Sequence, residues 1–127
     1  MKAITREWIG KAEEDYDVMV QQVRKRKSPR RNAGCFHAQQ CAEKYLKARL
    51  AEAGHQIPKT HALDALLNLV MVLEPSWDVL RADLSSLTDF AVLFRYPGAS
   101  ANTQIFKDAV RRCRKFRAAA RKSFGLP

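Results

Sequence analysis

The sequence predicts an all-α fold, an up-and-down antiparallel bundle of about five helices. Apolar residues recur at three- and four-residue steps in each long segment, the helical period. Gly and Pro are few, five of each in 127 residues, which leaves little room for a turn-rich β architecture. Short breaks separate the segments, and short connections make consecutive helices antiparallel neighbours. The whole chain, 1–127, reads as one domain, long enough to enclose a core without staples.

The first helix is predicted from about Thr5 to Val23, with Thr5 as its cap and Glu7 near its positive end. Trp8, Ala12, Tyr16, Met19 and Val23 form its apolar stripe, and Glu13, Glu14, Asp15 and Asp17 crowd the outward side as a solvated face. The run Arg24-Lys25-Arg26-Lys27-Ser28-Pro29-Arg30-Arg31 then carries six positive charges in eight residues. Pro29 makes it a turn. Its charge either grips phosphates or only solubilises the loop and complements the end of helix one.

Helix two is predicted from a cap at Asn32 to a stop at Gly54. His37, Gln40, Glu43, Lys44 and Lys47 fall in one polar stripe, opposite a core face of Cys35, Ala38, Ala42, Tyr45, Leu46, Leu50 and Ala53. Arg49 intrudes on the core side, where its stem can lie along apolar surface while its charge reaches water. The stripe is either a solvent face with a Glu43–Lys47 pair or a surface for phosphate, a base edge or a second subunit.

After an extended connection through Pro58, Thr60 is expected to cap helix three, with Leu63, Leu66, Leu67, Val70 and Met71 inward. His61, at that positive helix end, suits a neutral hydrogen-bonding role. Ser76 is expected to cap a fourth helix from Trp77 to Phe94, burying Val79, Leu80, Leu84, Leu87, Phe90 and Ala91. Arg95-Tyr96-Pro97-Gly98 breaks the pattern. Asn102 or Thr103 caps the last helix, which runs to about Ser123 and buries Ile105, Phe106, Ala109, Val110, Cys113 and Phe116. It carries seven positive charges and no acid after Asp108.

The charge balance, 23 Lys+Arg against 13 Asp+Glu, formally +10, favours polyanionic partners. No apolar run approaches the roughly 18 residues of a membrane span, so no membrane association is expected. The start of the chain has no signal-peptide character. Three scattered cysteines fit a reducing cytoplasm better than a disulfide framework. Cys35, His37 and Cys41 mimic ligand spacing, but residues two apart on a helix diverge by about 200°, so no metal site is expected. There is no glycine-rich phosphate loop, no Ser/His/Asp set and no paired-carboxylate signature, and no cofactor is expected.

FHAQQCAEKYLKARLAEAG, then PKTHALDALL, then FRYPG, in that order and spacing, resemble the HEPN domain family over nearly the whole chain. The resemblance implies a five-helix bundle, commonly a homodimer and often partnered by a minimal nucleotidyltransferase in a toxin–antitoxin-like pair. Many members are metal-independent ribonucleases whose signature is Arg, four to six residues, then His. Arg95 stands where that arginine is expected, but YPGASANTQIFK after it holds no histidine. Arg31–His37 and Arg49–His55 meet the spacing only formally and lie in the wrong helix.

The leading expectation is therefore a non-catalytic module that binds a nucleotide, RNA or a nucleotidyltransferase. Its polar contacts would be Arg95, Tyr96, His37, Gln40, Lys44 and Lys47, with the corner after Arg95 and the cationic side of helix two meeting in one hollow. The alternative is a metal-independent ribonuclease toxin. There Arg95 steadies the transition-state charge, and His37 or His61 moves the proton.

Overall fold

The computed structural model describes residues 1–127 and contains helices and turns with no strand. The elements are α1 (Ala3–Arg24), α2 (Arg31–Glu52), α3 (Leu63–Val70), a 3₁₀ turn (Pro75–Leu80), α4 (Arg81–Leu93) and α5 (Thr103–Ser123). No helix is long and apolar enough to cross a membrane.

The bundle is organised around α2, of whose 22 residues 13 are buried, too many for a helix with a free face. Antiparallel to it, α1 donates from Thr5 Oγ1 to Glu52 Oε1 (2.8 Å) at one end, while Gln22 accepts from the Arg30 N–H (2.8 Å) at the other. Helix α5 runs parallel to α2. Asn32 Oδ1 accepts the Ala101 N–H (2.8 Å) near both helix starts, and Arg121 donates to Tyr45 Oη (3.0 Å) towards both ends. Close approach of these two helices depends on Gly34, where a Cβ would fall 2.2 Å from Cε1 of Phe106. Buried apolar residues from Ile9 to Ala120 form one core, with Trp77 edge-on to Phe116 at 5.2 Å. Each fully buried Leu or Phe there contributes roughly 1.5–3 kcal/mol.

Several local expectations are corrected. Neither Thr5 nor Asn32 caps its own helix; both side chains tie distant segments together, as above. Ala53 and Val23 are exposed. Thr60 accepts from the Ala62 N–H, but α3 begins only at Leu63. Ser76 lies inside the 3₁₀ turn that Pro75 opens, so helix four starts late. With about three residues per turn, Trp77 and Leu80 share the inner side and Val79 is thrown outward, 79% exposed. Two stops and starts are as expected. Gly54 (φ +77°) ends α2 with the His55 N–H donating to Leu50 (3.0 Å), and Asn102 Oδ1 accepts the Ile105 N–H (2.8 Å) to cap α5.

Candidate functional site

Buried carboxylates set the polar architecture, because a carboxylate out of water must be paired or hydrogen-bonded. Asp15 of α1, 7% exposed, accepts from Lys44 Nζ (2.6 Å) and meets His37 Nδ1 (2.7 Å). Glu13 accepts two guanidinium bonds from Arg117 (2.6 and 2.8 Å) and the Tyr45 hydroxyl. Asp83 of α4 takes Arg112 (3.0 Å) and Lys115 (3.3 Å) from α5. The acids of α1 expected on a solvated face are thus corrected for Glu13 and Asp15. Both point into the bundle, and several positive charges of α5 are neutralised internally. Burial raises the Tyr45 hydroxyl well above its ordinary range, and the Glu13 bond adds to it.

Glu43 of α2, 3% exposed, is the most heavily engaged carboxylate. Lys47 Nζ donates to Oε2 (3.1 Å); Gln39 Nε2 donates to Oε1 (3.2 Å) and also to the His61 carbonyl (2.8 Å). Gln40 donates to Gln39 (2.8 Å), and the His61 ring sets Nδ1 against Glu43 Oε1 (3.0 Å). The His61 ring itself is 73% exposed at the mouth of this network.

That network forms one wall of a hollow of about 120 Å³ between α2 and α4, lined by Phe36, Gln39, Gln40, His61, Thr88 and Arg95 among others. Arg95 lies 5.6 Å from the Phe36 ring centroid, a cation–π placement. Arg49, Arg81, Arg111, Arg112, Arg117 and Arg121 have carboxylate partners; Arg95 is not among them, and it lines the hollow. An arginine without a counter-ion, two amides and an imidazole around a small concavity suit a phosphate-sized anion.

Sequence reasoning expected the cationic side of α2 in this hollow. Within one subunit that is corrected: Gln40 is there, but His37 and Lys44 turn to Asp15, and Lys47 lies between Glu43 and the Trp8 ring (5.7 Å). The predicted stripe is wide enough to face two neighbouring helices, and the pairing with α1 claims one edge of it. Tyr96 is 65% exposed and does not line the hollow. His61, foreseen as a neutral hydrogen-bonding group or as an alternative acid/base, is the histidine that lines the hollow with Arg95. Sequence reasoning missed Phe36 and Gln39. Their signal was spacing, since 36, 39, 40 and 43 share one side of a helix. Neither formal Arg–His pair forms a site: Arg49 is bound to Glu74 (3.0 Å), and Arg31 lines the cavity beside α5 while His37 is held by Asp15.

Residues 5–123 match the family model of the HEPN domain. No curated protein and no solved structure matches the chain.

Proposed function

The chain belongs to the HEPN family, and from that premise we propose a binding module that takes a phosphate of a nucleotide or RNA in the Arg95 hollow. The observation that carries the reading is Arg95 without a carboxylate partner, facing Gln40 and His61 across a cavity of about 120 Å³. The hollow has room for one phosphate, with the rest of the ligand outside. Val92, Leu93 and Tyr96, all more than half exposed beside it, favour a homodimer that covers this end of α4. A minimal nucleotidyltransferase, in a cytoplasmic toxin–antitoxin-like pair, is the partner protein proposed.

Titration calorimetry with nucleotides, with RNA and with the protein encoded alongside tests the proposal. A charge-assisted hydrogen bond is worth about 1.5–3 kcal/mol, so Arg95→Ala should weaken binding roughly tenfold to a hundredfold without lowering the melting temperature. Silence of the wild-type protein towards all three ligands would end the proposal.

A second reading, a metal-independent ribonuclease, is favoured by one arrangement, a Glu43-bound His61 that lines the same hollow as Arg95. In it, Arg95 stabilises charge on the phosphate oxygens and His61 transfers the proton. RNA cleavage that survives chelator and disappears in both Arg95→Ala and His61→Ala would establish this reading. Cleavage unaffected by either change would dismiss it.

A further inference from the structure

The largest cavity, about 540 Å³, lies away from Arg95, between the end of α1, the 25–30 connection and α5. Lys25, Arg26 and Arg31 stand on one side of it and Lys107, Arg111 and Arg114 on the other, with no acidic residue in the lining. Several cations elsewhere, such as Lys44, Lys47, Arg112 and Arg117, are matched to carboxylates. Here only Arg111 has one, Asp108 at 2.6 Å, and Arg114 donates to the neutral Tyr16 hydroxyl (3.3 Å). Like charges gathered in one concavity repel, and a bound polyanion relieves that repulsion. Pro29, Val23, Phe106 and Val110 supply an apolar floor between the charged rims. A second hollow, lined by Arg30, Asn32 and Ser100, shares Pro29 and Arg31 with the first and continues it over the start of α2, where no side chain caps the helix.

We propose that this cleft is a binding site for the backbone of a single-stranded polynucleotide, separate from the Arg95 hollow. Four of its six cations are arginines, whose planar forks match phosphate oxygens in pairs and stack on bases. The apolar floor receives sugars or base faces, and a cavity of this size takes a nucleotide-sized unit, with neighbouring phosphates on the two rims. An acidic protein fits less well, because a docked helix or strand needs a broader apolar stripe than this floor offers.

The test is fluorescence anisotropy with a labelled oligouridine across a salt series. With about five phosphate contacts, the slope of log K against log salt is about −3.5, a roughly 130-fold loss of affinity between about 50 and 200 mM salt. Arg26→Glu with Lys107→Glu removes two contacts and should bring the slope to about −2 or shallower, with affinity at low salt down at least tenfold. Lys11→Glu with Lys122→Glu changes net charge equally outside the cleft and should leave affinity within about twofold. Equal weakening in the Lys11/Lys122 control overturns the proposal in favour of diffuse charge. An unchanged affinity and salt slope in the Arg26/Lys107 variant, with binding lost in Arg95→Ala, overturns it in favour of the hollow. Competition by polyglutamate at the same charge concentration overturns the nucleic-acid assignment.

Discussion

Removing Glu43 tests whether the wall of the hollow is held as argued. Glu43 and Lys47 are 3% and 6% exposed, and the same carboxylate accepts from Gln39 and anchors His61. Glu43→Ala therefore strands a buried ammonium and leaves amide donors without their acceptor. Breaking a buried pair from one side costs about 3–5 kcal/mol, a large share of the roughly 5–15 kcal/mol that holds a domain together. Replacing both partners, Glu43→Leu with Lys47→Met, removes the stranded charge and should recover most of that loss. Urea unfolding followed by circular dichroism reads both. At an m-value of about 2 kcal/mol/M, Glu43→Ala lowers the midpoint by roughly 2 M with little change in slope. A Glu43→Ala protein within about 1 kcal/mol of wild type, or a double variant no better than the single one, would refute the account. His61 would then owe its orientation to something else.

Two further outcomes follow from the packing. Gly34→Ala should destabilise by up to about 2 kcal/mol in thermal melts. Overpacking against Phe106 costs roughly 1–3 kcal/mol and outweighs the helix preference of Ala, about 1 kcal/mol; adding Phe106→Leu should restore part of the loss. At acid pH, Glu13 decides. Burial pushes its carboxyl up, but the Arg117 and Tyr45 hydrogen bonds and the Arg117 and Arg121 charges outweigh burial and hold it below its ordinary 4.5. A folded value below the unfolded one means that its stabilisation is fully present above about pH 4.5 and is lost as pH falls through the folded value. Glu13→Gln should therefore be less stable than wild type near neutrality, with the gap narrowing as pH falls below about 4.5, read by urea titrations at neutral and acid pH.

Periodicity made the helices legible, because a core-facing stripe is what the helical period records. Gly54 and Asn102 were legible for a different reason, since their roles are local: a left-handed turn and a cap three residues away. Thr5 and Asn32 have the chemistry of caps, but their partners, Glu52 and Ala101, are far along the chain, where no local pattern points. Asp15 was misplaced although it shares a side with Ala12 and Met19. A charge inside an apolar stripe reads as solvated until a partner such as Lys44 is seen opposite. The polar stripe of α2 was identified correctly by residue and wrongly by environment. A helix surrounded by four others has no solvent face, so its polar groups must find one another. Arg95 was marked by resemblance. That His61 shares its hollow depended on the α2–α3 connection, whose path short-range signals do not fix.

The bond between Glu13 and Arg117 spans 104 residues, and it bears on the order in which a ribosome delivers the parts. Helices α1 and α2 emerge together and can fold back on each other at once. Gly34, Cys41 and Tyr45 must then wait for Phe106, Cys113 and Arg121. During that interval the early hairpin carries a bare greasy flank and an unmated acid, the kind of surface that chaperones hold. This bundle therefore cannot close before α5 is made, and stalling ahead of it would leave a half-built, aggregation-prone intermediate.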